Sequence, residues 1–273
     1  MSDWLSVRVH PGTDREAVLA ALFAAGAEGV QEIGEELLTL LPPDTDPDAV
    51  VGAVLDASRD ARIETAPAPV VDWTERWKDG IHAQELGALV VAPPWLADRF
   101  DPSRTVVIEP GMAFGTGEHA TTRGVIRLLQ SVLRGGERVA DLGAGSGVLS
   151  IAAAKLGASR VAAIELDRDA IENAEQNVAR NGVADRVVVL EGDAGQLLPL
   201  VAPVDAVLAN IISSVLLGLL PVIAEALAPR GCAILSGILR DERAEMTEAL
   251  RRDEWRVVSE DHEDAWWSVV ITR

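Results

Sequence analysis

From about residue 118 onward, short runs that are apolar at nearly every position alternate with longer segments whose apolar residues recur at helical spacing. The runs at 137–142, 160–165, 186–190, 204–209 and 231–236 read as strands of a parallel sheet buried on both faces, where no polar side is needed. Residues 118–133, 147–156, 168–181, 213–228 and 239–252 carry the 3.6-residue period of helices packed on such a sheet. Two last strands, near 254–258 and 265–271, are separated by too few residues for a helix. They are expected to close the sheet as an antiparallel hairpin. The whole predicts a doubly wound α/β sheet, parallel except at its C-terminal end.

The first 65 residues follow a different rhythm. Strands are expected at 4–9, 30–33, 37–41 and 62–65, with helices at 14–25 and 48–57, the first of them capped by Thr13. The order β-α-β-β-α-β is that of a small ferredoxin-like α+β domain. Residues 66–88, opening with Pro67 and Pro69, read as a linker, and 89–273 as the main domain, with further strands at 89–92 and 105–108. Within the linker, 72–80 is expected to form a short helix whose Trp73 and Trp77 share a side for packing.

Charge changes the picture further. The net charge is −19, and residues 1–65 alone hold 13 acidic against 4 basic side chains. That argues against nucleic acid as the direct partner, since phosphate binding needs clustered Lys and Arg. An acidic first domain is either a solvated surface or a docking face for a basic protein. The first residues show no signal peptide, no run approaches a membrane span, and the lone Cys232 reads as a small buried residue. A cytoplasmic protein is the expectation. The four histidines show no metal-ligand spacing, so no metal is expected.

The chemistry is concentrated where strands end. Gly143, Gly145 and Gly147 fall directly between a strand and a helix, and the turn is preceded by Asp141. Glycines let the backbone approach a ligand, and a helix N-terminus offers free N–H groups. A dinucleotide site would carry a third glycine one place later, where this chain has Val148. An acid beside the turn would repel a pyrophosphate and accept hydrogen bonds from a cationic amino-acid head group. The pattern therefore favours S-adenosylmethionine. Glu165, at the tip of the next strand, is placed to accept ribose hydroxyls. Asp193 is placed to accept the adenine amine, with Ala194 offering its N–H, although an N-cap is the competing role for Asp193. Asn210, ending the fourth strand, faces the methyl group in this geometry and would aim an attacking amine. Before the first helix, Phe114, Gly115, Thr116 and Gly117 lie in a glycine-rich loop. Thr121 or Thr122 is expected to cap that helix or to hold a ligand carboxylate, and Phe114 to cover something apolar.

The runs PGMAFGTGEHATT, VADLGAGSGVLSIAAAKLGA, IELD and LANII, together with DWTERWK, resemble the bacterial ribosomal protein L11 methyltransferase family over nearly the whole chain. The resemblance implies a class I methyltransferase fold, S-adenosylmethionine as cofactor, and methylation of lysine side chains and the N-terminal amine of a basic ribosomal protein of the large subunit. It implies cofactor contacts at Thr122, Gly143, Glu165 and Asn210, with Phe114 to Gly117 in a closing loop. It also implies substrate recognition by the first domain, and a monomer is expected. Glu109 and Glu165 stand where the family usually has Asp.

Overall fold

Alternation of apolar and polar residues along Leu5–His10 (β1) buries Val7 and Val9 and leaves Arg8 outside, the two-residue period of a half-covered strand. A computed structural model describes residues 4–27, 29–67, 80–110 and 114–273, and the chain divides into units 1–80 and 81–273. The first unit continues with α1 (Arg15–Ala24), β2 (Val30–Ile33), β3 (Glu36–Leu41), α2 (Pro47–Ala57) and β4 (Arg62–Pro67). Its four strands pair antiparallel in the order β2-β3-β1-β4, so each helix connects two strands with a third between them. Val18 and Leu22 of α1 and Val50 and Val54 of α2 bury against Val7, Val9, Leu37 and Leu41.

Two details differ from expectation. The cap of α1 is Asp14, whose carboxylate accepts from Ala17 N at 3.0 Å, because Thr13 is occupied in donating to Asp60. The last strand runs to Pro67, which an edge strand tolerates because its outer N–H row is unpaired. The expected helix at 72–80, with Trp73 and Trp77, lies outside the described residues but for Gly80.

In the second unit, β5 (Gln84–Leu86) pairs with β6 (Leu89–Ala92), and β6 with β7 (Thr105–Val107), around the one-turn α3 (Pro94–Ala97). Strand β5 therefore falls within the stretch 66–88 that its prolines suggest is linker. Next come α4 (Ala120–Val132), β8 (Arg138–Leu142), α5 (Val148–Lys155), β9 (Arg160–Glu165), α6 (Arg168–Arg180) and β10 (Val187–Glu191). They are followed by α7 (Ala194–Val201), β11 (Val204–Asn210), α8 (Ser213–Ala226), β12 (Leu227–Leu239), α9 (Arg243–Arg252), β13 (Arg256–Glu263) and β14 (Trp266–Thr272). The seven-stranded sheet has the order β10-β9-β8-β11-β12-β14-β13. Strands β8 to β12 are parallel, and β14 inserts antiparallel between β12 and β13, which is the expected closing hairpin.

Val139, Val161, Leu208 and Ile234 face Ile126, Leu129, Ile151 and Val178 on one side. Leu142, Ile164, Val207 and Leu235 face Leu198, Leu216, Leu220 and Leu250 on the other. Strand order reverses between β8 and β11. In an open α/β sheet that reversal leaves a crevice at the carboxyl ends of the two strands.

Helix α7 has no counterpart in the apolar periodicity, because it is short and carries Pro199 inside it. Strand β12 runs to Leu239 rather than 236, bulging around Gly237, so a 3-10 turn at Arg240–Glu242 and then α9 start later than the period suggests. Among the described residues, no helix is long and apolar enough to cross a membrane.

The N-terminal half of α4 is fastened to the closing hairpin by charge. Arg127 grips Asp261 with two hydrogen bonds of 2.8 and 2.6 Å and reaches Glu263 at 2.6 Å, while Arg123 takes Glu263 from its other side and also donates to the Glu118 carbonyl. These groups are only partly exposed, and the guanidinium fork matches a carboxylate, so the pairing exceeds an ordinary surface bridge. Arg127→Met is expected to lower unfolding free energy by about 1–2 kcal/mol. Urea titrations at low and high salt would check this, with the difference shrinking in high salt.

Candidate active site

The carboxyl ends of β8, β9, β10 and β11 bring together Asp141, the glycine turn, Glu165, Asp193 and Asn210. The turn leaves β8 with Gly143 and Ala144 N–H both donating to Ile164 O of the neighbouring strand. Gly145, at φ 53°, lies against the loop before α4: a Cβ there would sit 2.6 Å from the Phe114 carbonyl oxygen. A side chain at Gly143 would likewise meet Ile211 at 2.7 Å. The glycines thus have a steric cause in the chain itself, since the turn threads between the Phe114 loop and the segment after β11.

Glu165 organises this turn. Its Oε2 accepts from Gly145 N at 2.8 Å, and its Oε1 from Leu166 N and Asp167 N at 2.7 and 2.9 Å. A carboxylate has about four lone-pair sites, so capacity for one further donor is left after three backbone bonds. Asp193 caps α7, its Oδ1 accepting from Gln196 N at 3.1 Å, and is otherwise exposed. The capping alternative for Asp193 is therefore the role seen; its other carboxylate oxygen and the Ala194 backbone stand at the same helix start. Asn210 is half-buried, in register with Ser236 of β12, and its amide has no hydrogen-bond partner among the described residues.

Two buried polar atoms beneath the site also have none among the described residues: Thr122 Oγ1 and Asp141 Oδ1. Buried polar groups ordinarily find a partner, so both atoms are open to a further donor or acceptor. The residue that caps α4 is neither Thr121 nor Thr122 but His119, whose Nδ1 accepts from Thr121 N at 3.4 Å and lies 2.7 Å from Thr121 Oγ1. Burial, then the charge of Arg123, lowers the His119 pKa, which suits a ring that must stay neutral to accept. Phe114 is 57% exposed, edge-on to His119 at 5.2 Å, and His119 is edge-on to Trp266 at 5.0 Å. Gly115 and Gly117 are buried with Thr116 between them, Gly117 backing onto Val91 of β6. The longer arm of Glu109 pairs with Arg180 at 3.1 Å.

Apolar and polar periodicity misses Asn177 and Ser146. Both are buried, and the Asn177 amide donates to the Ser146 carbonyl inside the glycine turn at 3.0 Å. The available signal is an asparagine on the apolar stripe of a helix, among Ala170, Ala174 and Val178. No group of His, Cys, Asp and Glu able to hold a metal occurs among the described residues. Cys232 is buried, and burial pushes its thiol up to about 11, as expected of a packing residue.

Asp141 carries an electrostatic cost. Burial, and less so the nearby charge of Glu165, pushes it up to about 6, against the stabilising hydrogen bond of 2.7 Å from Ser150 Oγ. A raised folded-state pKa means the folded chain keeps a proton that the unfolded chain releases, so this group's contribution falls as pH rises from about 4 to about 6. Asp141→Asn removes that titration and keeps the shape. The variant should gain stability relative to the parent by roughly 2–3 kcal/mol between pH 4 and 7.5. Chemical denaturation of both proteins across that range measures the gap; a gap independent of pH would refute the assignment.

A family profile described as ribosomal protein L11 methyltransferase matches residues 34–273. The chain is 40% identical over 216 residues to the ribosomal protein L11 methyltransferase of Pelotomaculum thermopropionicum, covering 76% of this chain and 70% of that one. It is 32% identical over 276 residues to that of Alteromonas mediterranea, covering 92% of each. The crystal structure of a ribosomal protein L11 methylase from Lactobacillus delbrueckii subsp. bulgaricus superposes with a TM-score of 0.63 at 30% identity, over 71% of this chain and 99% of that one. With a profile match spanning the whole second unit and its glycine turn, the chain belongs to the ribosomal protein L11 methyltransferase family.

Proposed function

We propose that this protein transfers methyl groups from S-adenosylmethionine to lysine side chains and the N-terminal amine of ribosomal protein L11. The observation that carries the reading is the convergence of Glu165, the glycine turn and Asn210 on one crevice of a chain in this family. Glu165 would accept a ribose hydroxyl with the lone pair its three backbone bonds leave. Asp193, through the oxygen not used in capping, and Ala194 N–H would meet the adenine. The free oxygen of Asp141 and the Thr122 hydroxyl would satisfy the amino-acid end. Gly143 and Gly145 allow close approach, and Phe114, Gly115, Thr116 and Gly117 form the wall before α4. When bound, the cofactor supplies a methyl on a sulfonium, open to in-line displacement by a neutral amine.

Asn210 then does the work of orientation. Its side-chain carbonyl would accept an N–H of the incoming amine and turn the lone pair toward the methyl carbon, a positioning role of the kind that lowers a barrier without proton transfer. The first unit is read as a ferredoxin-like substrate-recognition domain (residues 1–65, with 66–88 as linker and 89–273 catalytic). Its β-α-β-β-α-β order, its sheet order and its excess of acid over base support that reading for a basic ribosomal partner. We further read the protein as a cytoplasmic monomer with no direct nucleic-acid contact.

The test is transfer of radiolabelled methyl to a purified ribosomal protein mixture, followed by mass spectrometry of the labelled chain. Label on L11 is expected; label only on RNA, another protein or small amines would overturn the proposal. Asn210→Ala should lower kcat by about 10²-fold or more while cofactor affinity changes less. Unchanged turnover with weakened cofactor binding would remove Asn210 from the reacting centre.

A further inference from the structure

One buried amide joins three pieces of the site. Asn177 of α6 is fully buried, and all its polar capacity is directed. Its Nδ2 donates to the Ser146 carbonyl at 3.0 Å and to Asn173 Oδ1 at 3.3 Å. Its Oδ1 accepts from Glu109 N and from Arg180 Nη1, both at 3.0 Å. Two donors into acceptors and two donors toward its oxygen fix which way the amide points. Arg180 in turn holds the Glu109 carboxylate.

Ser146 passes the hold onward. Its N–H donates to Phe114 O at 3.0 Å and its hydroxyl to Gly115 O at 2.7 Å. Asn177 thus grips the chain at Glu109 directly and at Phe114–Gly115 through Ser146, with the glycine turn clamped between. The neighbouring Asn181, one helical turn on, also ties α6 to this region, exchanging hydrogen bonds of 2.8 and 2.6 Å with the backbone of Val107. Its third bond goes to the Asn177 carbonyl at 2.8 Å, and none of its side-chain hydrogen bonds reaches the turn or Phe114. The two asparagines separate packing from positioning.

We propose that Asn177 is a positioning residue for the methyl donor: it sets the backbone of the Gly143–Gly147 turn against the Phe114–Gly117 wall, so its loss is felt in donor affinity. The proposal rests on the reading that the glycine turn holds S-adenosylmethionine. Its arms are the full chain, Asn177→Ser, Asn177→Asp and Asn181→Ala, titrated calorimetrically with S-adenosylhomocysteine and assayed for KM and kcat.

Asn177→Ser removes both grips. Asn177→Asp keeps the acceptor for Glu109 N and Arg180 and loses the donor to Ser146, giving a second variant should the first fold poorly. Each is expected to raise the Kd of the probe and the KM of the donor about tenfold, with kcat at saturating donor within about twofold of the parent. Asn181→Ala is expected to lose thermal stability with Kd unchanged. Parental affinity in both Asn177 variants, or an equal loss in Asn181→Ala, would overturn the proposal while the parent still binds the probe. Failure of the parent to bind S-adenosylhomocysteine would instead remove the underlying reading, and the proposal with it.

Discussion

Three backbone N–H groups converge on the carboxylate of Glu165, and the geometry of the crevice follows from that convergence. Gly145 comes from the turn after β8, Leu166 and Asp167 from the turn after β9. One side chain therefore sets the relative height of two neighbouring strand-to-helix connections. In a parallel sheet these connections cannot pair with each other as strands do, so their orphan donors need an acceptor from outside the ladder. A carboxylate is the strongest acceptor available, because its hydrogen bonds are charge-assisted. The same oxygens are those the family resemblance assigns to ribose. In the proposed reading one group would serve both structure and binding, and the arm of Glu165 reaches the turn at 2.8 Å.

Much of this is legible in the sequence. The five apolar runs became β8 to β12, and the glycine turn fell where strand gives way to helix, because continuous apolar runs have no other stable place than a sheet covered on both sides. Strand-end residues were legible for the same reason: once the strands are placed, Asp141, Glu165 and Asn210 can only stand at their carboxyl ends. What escaped has physical causes. Helix α7 is eight residues long with a proline inside, so no period develops. Leu239 extends β12 because the bulge at Gly237 restores pairing with Trp266 and Trp267, a tertiary effect no local pattern carries. His119 caps α4 with a ring nitrogen, outside the usual set of capping side chains. Asn177 stands on the apolar stripe of a mostly polar helix, but that stripe does not say which backbone groups its amide meets.

The placement of Asp141 adds burial to what local chemistry says of it. Read from sequence, it stands beside the turn and is open to a cationic ligand. In the fold it is fully buried beneath the turn, on the face covered by α4 and α5, with Ser150 on one oxygen and no partner among the described residues on the other. A buried carboxylate with one hydrogen bond is poorly stabilised as an anion, and the charge on Glu165 in the next strand adds to the cost. Carboxylates shifted in this way cluster at functional sites. The alternatives are a neutral acid donating a proton to a neighbouring acceptor, or an anion answered by a cation. An acceptor does not stand at its free oxygen among the described residues, and the proposed cofactor brings a cationic amino-acid end. The direction of the Asp141 shift thus points the same way as the glycine turn: toward a ligand whose positive charge offsets a cost the fold alone leaves standing.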